Sequence, residues 1–264
     1  MLKGKMLLVL DVGNTHTVIG VFSHTKLQAH WRISTQRERT VDEYGVTIRN
    51  LLSLGRIDFE KIGGFAVSCV VPPLTPILER VARRYFDQDA FMVEPGVKTG
   101  MPIIYDKPQE VGADRIVNGV AACEKYGSPA IIVDFGTATT FDAISERGEY
   151  LGGAIAPGIM ISAEALFQRA ARLPRVEIRK PDGVIGKSTV TSMQSGLYYG
   201  YIGLVEGILR RMKKEMGDKT TIIATGGLAT VLSPEIKLID RVDPDLTLDG
   251  LRIIYERNLP PLSA

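Results

Sequence analysis

The feature that most constrains this chain is a strand–turn–strand pattern that occurs twice. Asp11-Val12-Gly13 follows the apolar run Met6–Leu10, and Asp134-Phe135-Gly136 follows the apolar run Ala130–Val133. In each copy a threonine, a β-rich stretch, a polar turn and a further strand come next. The two aspartates are 123 residues apart in a chain of 264 residues. A match over about 25 residues favours an internal duplication, and the alternative is a chance likeness of two hairpins.

The remaining patterns are typical of an α/β protein with two related halves. They predict strands at Met6–Leu10, Thr17–Phe22, Leu27–Ile33, Gly64–Val71, Ala130–Val133, Thr139–Ser145, a stretch ending at Ala156, and Thr220–Ala224. They predict helices at 40–54, from Pro73 to Tyr85, at 109–126, from Ser162, at 188–216 and at 248–258.

Composition narrows the class of protein. Lys and Arg number 32 and Asp and Glu 30, so the formal net charge is only +2 and no global field favours nucleic acid or an anionic membrane. Cys69 and Cys123 form no CxxC motif, so we expect no structural zinc. The N-terminal apolar run Met6–Leu10 is too short for a signal-peptide core or a membrane helix. We therefore expect a cytoplasmic protein with neither nucleic acid nor membrane as a partner.

The paired turns have a clear physical use in phosphate binding. Glycine lets the backbone approach a ligand, and turn N–H groups together with Thr and Asn side chains can cradle phosphate oxygens. An aspartate repels phosphate but can hold a cation that bridges to it, directly or through water. Two such turns facing each other would hold a nucleotide without a P-loop. A single turn of this kind would favour an ordinary hairpin instead.

One further motif resembles the end of a P-loop and is rejected. Gly186-Lys187-Ser188 has the required last three residues, but Pro181 stands where the motif needs its first glycine. The residues before it are charged, whereas a P-loop follows a buried strand.

Motifs along nearly the whole chain carry a resemblance to a known family. They are DVGNTHT (11–17), SCVVPPLT (68–75), VGADR (111–115), DFGTATT (134–140), GGAIAPG (152–158), ALFQRAARLPRV (165–176), IGKST (185–189), SMQSG (192–196) and TGG (225–227). The chain resembles the acetate/sugar kinase–Hsp70–actin superfamily and, more narrowly, the type III pantothenate kinases. The resemblance implies two duplicated ribonuclease-H-like halves, 1–117 and 118–264, with a nucleotide cleft between them. It also implies that residues 1–5 precede the family's usual start.

The resemblance further implies an activity. ATP would phosphorylate the primary hydroxyl of pantothenate to give 4'-phosphopantothenate, the first step of coenzyme A biosynthesis. The enzyme would be a cytoplasmic bacterial homodimer that uses Mg²⁺-ATP and a monovalent cation, K⁺ or NH₄⁺. The main alternative is a non-catalytic regulator or accessory protein of the same fold. An actin-like or chaperone-like ATPase is disfavoured, because those chains carry inserted subdomains, and a polyphosphate phosphatase would rest on fold analogy alone.

Residue roles follow from the same resemblance. Asp114 matches the catalytic base, although an Asp-Arg pair at a helix start is more often a cap and an ion pair. The expected ATP-binding residues are Asp11, Val12, Gly13, Asn14, Thr15, His16, Thr17, Val18 and Thr137. The expected substrate-binding residues are Tyr105, Gly112, Ala113, Asp114, Arg115 and Thr189, of which Thr189 could also be a helix N-cap. Asp134 matches the monovalent-cation ligand, and Asp11 would orient Mg²⁺ through water.

Two sets of glycines remain. Gly226 and Gly227 follow a strand and either flank the adenosine or form a simple turn. Gly196, Gly200, Gly203 and Gly207 fall on one face of the long helix, where each costs ~1 kcal/mol against alanine. That cost predicts a close approach to this face, either by the chain's own sheet or helices or by a dimer partner or acceptor pocket.

Overall fold

A computed structural model of the protein describes residues 5–259, so most of the predicted N-terminal extension lies outside the described residues. The chain forms two compact units. The first comprises the described residues up to Glu124 and those from Asp245 onward, and the second is Lys125–Pro244. The predicted domain ranges, 1–117 and 118–264, stay a prediction. The boundary between the two compact units lies seven residues after the predicted one, and the last helix belongs to the first unit.

Each unit begins with three consecutive strands, after which helices and further strands follow, as is typical of an α/β fold. The first unit contains β1 (Met6–Val12), β2 (His16–Ser23), β3 (Lys26–Ser34), α1 (Val41–Leu54), β4 (Ile62–Cys69), α2 (Thr75–Phe86), β5 (Ala90–Met92), most of α3 (Ala113–Tyr126) and α7 (Leu246–Asn258). The second contains β6 (Ala130–Phe135), β7 (Ala138–Ile144), β8 (Tyr150–Pro157), α4 (Ile159–Arg169), α5 (Thr189–Met216), β9 (Thr221–Thr225), α6 (Ala229–Leu232) and β10 (Arg241–Val242).

The two sheets have the same strand order, which confirms the duplication. The first sheet runs β3-β2-β1-β4-β5, and the second runs β8-β7-β6-β9-β10. In both, the first three strands form an antiparallel meander and the last two add in parallel. The likeness therefore extends to all five strands, two more than the sequence pattern covered. Strand β1 corresponds to β6, and β4 corresponds to β9.

The alternation of side chains along β1 places Asp11 on a defined face of the first sheet. Leu8, Leu10 and Val12 belong to the core beneath α1 and α2. Leu7 and Val9 lie on the opposite face, which α7 covers. Asp11 shares that second face, because successive side chains of a strand alternate. A slip of one residue would push Asp11 into the apolar core, so the register is strongly specified.

Two helix starts follow capping signals in the sequence. Thr40 caps α1 through a reciprocal pair with Glu43, as the predicted start at residue 40 requires. Such a cap contributes about 1 kcal/mol. Ser188 caps α5 in the same way with Thr191. Thr189 is therefore the first helical residue, and the interpretation that Thr189 is the N-cap is wrong.

The differences from the predicted elements are local. Strands β5 and β10 have three and two residues, too few to show the alternation that identifies a strand. Helix α4 begins at Ile159, three residues before the predicted start. The predicted helix at 109–126 is interrupted: a 3₁₀ turn at Pro108–Glu110 ends in extended backbone at Val111, and α3 begins only at Ala113.

Candidate active site

The first Asp-x-Gly turn joins β1 to β2. The Gly13 N–H donates to the His16 carbonyl oxygen at 3.0 Å and closes the turn, which leaves the side chains of Asn14 and Thr15 exposed. Asp11 is half-buried at the end of the strand. Two predicted ATP-binding side chains, those of Val12 and Thr17, are buried, so these residues can reach a ligand only through their backbone. Val18 is half-buried and pairs in register with Asp11.

A segment that the sequence analysis did not identify holds this turn. The Thr35 N–H donates to the Thr15 carbonyl at 2.9 Å, and the hydroxyls of Thr17 and Thr35 lie 2.9 Å apart. Arg37 Nη2 donates to Asn14 Oδ1 at 3.3 Å, which brings an exposed guanidinium to the turn. No local motif marks Arg37. Only the pairing of β3 with β2 brings it there.

His16 adds no charge to the turn at neutral pH. Burial and the nearby positive charge of Arg32 lower the pKa of His16 below its usual 6.5. The neutral imidazole can still donate or accept one hydrogen bond.

The second Asp-x-Gly turn joins β6 to β7. Gly136 and Thr137 are exposed, and the Thr137 carbonyl accepts from the Gly158 N–H at 3.1 Å. Gly226, directly after β9, has φ +92° and lies against Asp134. A Cβ at position 226 would fill the space beside Asp134 Oδ1. The prediction that Gly226 and Gly227 flank adenosine stays open, while Gly226 clearly borders this carboxylate.

Asp114 lies in the first turn of α3. Its Oδ1 accepts from the Arg115 N–H at 2.8 Å, and a Cβ at Gly112 would come within 2.6 Å of the same oxygen. Burial raises the pKa of Asp114 above its usual 3.8, while the backbone N–H and the charge of Arg115 oppose that rise. A more basic carboxylate is what a general base requires. Arg115 itself is buried.

A cavity of about 390 Å³ opens beside this turn, within the first unit. Its lining is mostly apolar, with a few polar groups, and includes Cys69, Val93, Thr99, Ile103, Gln109, Val111, Ala113 and Ile116. This size and lining are typical of a small-molecule site. The predicted substrate residue Tyr105 is exposed and follows the lining residue Ile103 by two positions.

Thr189 lies in the second unit, on a separate cavity of about 560 Å³. That cavity is also lined by Leu166, Leu173, Met193 and Gly196.

The Gly186-Lys187-Ser188 segment is not a P-loop, because no strand lies between Gly158 and Thr189 in the described chain. A Cβ at Gly186 would come within 2.3 Å of the Ser192 nitrogen, so this loop packs on the start of α5.

The glycine face of α5 is open. A Cβ at Gly196, Gly200 or Gly203 would meet nothing within 4 Å among residues 5–259, and at Gly207 only the Arg211 side chain at 3.5 Å. The interpretation that the chain's own sheet or helices close on this face is therefore wrong for the described residues.

Among residues 5–259, no helix is long and apolar enough to cross a membrane.

Two like-ordered sheets, each with an Asp-x-Gly turn after its first strand, define the fold of two duplicated ribonuclease-H-like halves, the actin-like ATPase fold. Solved structures share this fold. A Campylobacter jejuni protein assigned to the Baf family of transcriptional activators has a TM-score of 0.59 at 21% identity, with 95% of this chain and 98% of that chain covered. The polyphosphate/ATP-glucomannokinase of Arthrobacter sp. strain KM has a TM-score of 0.51 at 12% identity, with 96% and 100% covered.

Sequence comparison narrows the class to one family. The family model of type III pantothenate kinase matches residues 7–211. A type III pantothenate kinase of Koribacter versatilis is 62% identical over 263 residues, 96% of each chain. One of Moorella thermoacetica is 58% identical over 253 residues, 96% of this chain and 100% of the relative. The chain belongs to the type III pantothenate kinase family.

Proposed function

We propose that this protein transfers the terminal phosphoryl group of ATP to pantothenate, forming 4'-phosphopantothenate in the first step of coenzyme A biosynthesis. Family membership supports ATP as the donor and pantothenate as the acceptor. One observation carries the proposal furthest. A carboxylate whose pKa is raised by burial, Asp114, lies in the turn beside a cavity of small-molecule size.

In this reaction Asp114 acts as the general base. The primary hydroxyl oxygen of pantothenate attacks the γ-phosphorus of ATP, and the carboxylate of Asp114 accepts the hydroxyl proton. The bond from phosphorus to the bridging oxygen breaks, and ADP leaves with that electron pair. Because burial raises the pKa of Asp114, its carboxylate accepts the proton more readily than an exposed aspartate would.

The acceptor would occupy the cavity beside α3. Gly112 and Ala113 let the ligand approach the start of that helix, and Tyr105 contacts the substrate from the loop after Ile103. Arg115 serves as the anchor for the pantothenate carboxylate, because its planar guanidinium suits a two-point contact with a carboxylate. Thr189, which lines the cavity of the second unit, is proposed as a further substrate contact on the family resemblance alone.

The phosphates would be bound by the two turns. Asp11 to Val18 supply backbone N–H groups and the exposed side chains of Asn14, Thr15 and His16, and Thr137 supplies a contact from the second turn. Arg37 adds positive charge through its contact with Asn14. This guanidinium would neutralise part of the negative charge of the phosphates, as the lysine does in a P-loop.

The cations would be held through oxygen atoms. Asp134 offers a half-buried carboxylate beside the second turn, packed against the backbone of Gly226, and this carboxylate would hold the monovalent cation, K⁺ or NH₄⁺. Among residues 5–259 no group of three His, Cys, Asp or Glu side chains could hold a metal. Mg²⁺ near Asp11 would therefore take most of its ligands from phosphate oxygens and water, as Mg²⁺ commonly does. These ions supply charge neutralisation to the transferring phosphoryl group.

The enzyme would act as a cytoplasmic homodimer. Ile155 on β8 and Met160 and Phe167 on α4 are exposed apolar side chains. Helix α4 contacts α5, and its exposed Leu166 lines the same cavity as Gly196. A second copy would cover this surface. Because a side chain at position 200 meets open space within the chain, Gly200→Leu should leave the monomer folded and lower the dimer mass in analytical ultracentrifugation. An unchanged dimer would exclude this face as the interface.

One assay tests the proposed reaction. The protein is incubated with Mg²⁺-ATP and pantothenate in potassium or sodium chloride, and ADP release is followed. We expect release that requires pantothenate and is faster in potassium. If pantothenate causes no ADP release in potassium, the kinase proposal fails and a non-catalytic regulator of the same fold takes its place.

A further inference from the structure

A hydroxyl residue neighbours each Asp-x-Gly aspartate on the adjacent parallel strand. Ser68 on β4 is the register partner of Asp11 on β1. Thr225 on β9 is the register partner of Asp134 on β6. Because β4 and β9 occupy the same position in their sheets, Ser68 and Thr225 are equivalent residues of the two halves.

Both hydroxyls are buried without a partner. Ser68 is 0% exposed and Thr225 1%, and neither Oγ of Ser68 nor Oγ1 of Thr225 has a hydrogen-bond partner among residues 5–259. A buried hydroxyl without a partner is unfavourable and uncommon. Its recurrence at two equivalent positions indicates that a bound state supplies the missing interaction.

The neighbouring carboxylates are within reach of these hydroxyls. Register partners on adjacent parallel strands project their side chains to the same face, and the strands lie about 4.8 Å apart. A rotation about χ1 can therefore turn each hydroxyl toward the carboxylate beside it. A carboxylate that accepts one hydrogen bond keeps its other lone pairs for a cation.

We propose that Thr225 and Ser68 are positioning residues for the two cations of the reaction. On cation binding, the Thr225 hydroxyl donates to Asp134 and orients that carboxylate toward the monovalent cation. The Ser68 hydroxyl donates to Asp11 and orients it toward the hydration shell of Mg²⁺. The inference rests on the proposed function, since it takes the two aspartates as cation-holding groups.

The chain provides matched controls. Thr220 and Ser233 are 2% and 8% exposed, and their hydroxyls also lack a partner among the described residues. Thr220 directly precedes β9, at the end opposite Thr225, and Ser233 follows α6. Neither residue is the register partner of an Asp-x-Gly aspartate.

The potassium arm compares Thr225→Val with Thr220→Val. Thermal unfolding is followed while potassium chloride replaces choline chloride at constant ionic strength, without ATP or pantothenate. In choline, Thr225→Val should unfold at the wild-type temperature or above it, because valine removes a hydroxyl that has no partner. Its half-saturating potassium concentration should rise about tenfold, as expected for losing a hydrogen bond to a charged group. Thr225→Ser keeps a hydroxyl and should retain the wild-type potassium response, and Thr220→Val should retain it too.

The magnesium arm uses Mn²⁺ as a spectroscopic probe. Electron paramagnetic resonance measures Mn²⁺ binding in the presence of a non-hydrolysable ATP analogue. Ser68→Ala should weaken this binding about tenfold, while Ser233→Ala should leave it unchanged. Thr225→Val should not alter Mn²⁺ affinity, and Ser68→Ala should not alter the potassium response.

Several results would overturn the inference. They are a wild-type protein that does not respond to potassium, a Thr225→Val protein with the wild-type response, a Thr220→Val protein that shares the defect, or a Ser68→Ala protein that binds Mn²⁺ normally. Equal effects of both variants on both cations would also contradict it. Neither arm requires turnover, so failure of the kinase proposal is seen separately, as the absence of pantothenate-dependent ADP release.

Discussion

The carboxylate of Asp134 packs against the backbone of Gly226, in space that a side chain at position 226 would need. A Cβ at position 226 would come within 2.4 Å of Asp134 Oδ1 and 2.6 Å of the Phe135 nitrogen, closer than real Cβ atoms approach. The backbone there has φ +92°, a conformation that glycine adopts readily. The TGG motif after β9 and the Asp-x-Gly turn after β6 therefore form one structural feature of the second unit.

Substitution at this glycine should lower stability. Gly226→Ala should be less stable than Gly217→Ala by about 1–3 kcal/mol, the usual cost of overpacking. The control is matched, because Gly217 has φ +93° and a Cβ there would meet nothing within 4 Å. Chemical denaturation measures the difference. If the two variants lose equal stability, backbone strain alone explains the Gly226 effect and the contact with Asp134 does not matter.

Asp114→Asn should stabilise the protein while it removes activity. Burial raises the pKa of Asp114 above 3.8, so the carboxyl group is protonated in both folded and unfolded chains at lower pH. As the pH rises through the folded pKa, ionisation favours the unfolded chain and this stability is lost. Asparagine stays neutral, so the variant should unfold at a higher temperature than wild type at pH 7, and the gain should disappear below pH 3.8.

Activity measurements complete this test. The kcat/KM of the wild type should fall on the acid side with a midpoint above 3.8, since the protonated carboxyl group cannot accept the pantothenate proton. Asp106→Asn, at an exposed position, should change neither stability nor turnover. Near-normal turnover by Asp114→Asn would remove Asp114 from the role of base.

Arg37 should contribute to ATP binding through its charge at the first turn. Arg37→Ala should weaken the binding of a non-hydrolysable ATP analogue about tenfold, a loss typical of one charge-assisted hydrogen bond. Arg37→Lys should retain part of the affinity, because lysine keeps the charge without the planar fork. Isothermal titration calorimetry gives the values, with Arg83→Ala as a surface control whose side chain pairs only with Asp89 among the contacts described. Equal affinity of Arg37→Ala and wild type would show that Arg37 only supports the turn.

The sequence predicted the duplicated halves, because the Asp-x-Gly turns are local patterns that repeat with their flanking strands. It also predicted the start of α1, where Thr40 and Glu43 form a local cap. It assigned no role to Arg37, Ser68 or Thr225, although Ser68 and Thr225 begin the motifs SCVVPPLT and TGG. Their positions depend on which strands become neighbours and in what register, and no short-range pattern carries that information. Strands β5 and β10 were missed because two or three residues show no periodicity.

At the start of α5, we expect two adjacent residues to have different roles: Ser188 stabilises the helix and Thr189 binds substrate. The Ser188 hydroxyl accepts from the Thr191 N–H at 3.2 Å, so Ser188→Ala should lower the free energy of unfolding by about 1 kcal/mol and leave the KM for pantothenate unchanged. Thr189 is exposed and lines the 560 Å³ cavity, so Thr189→Val should barely change stability but raise that KM several-fold, as expected for a lost substrate hydrogen bond. Denaturation and steady-state kinetics on both variants provide the measurements. A Thr189→Val enzyme with the wild-type KM would exclude this threonine from substrate binding, and an unstable one would mean that it supports the helix instead.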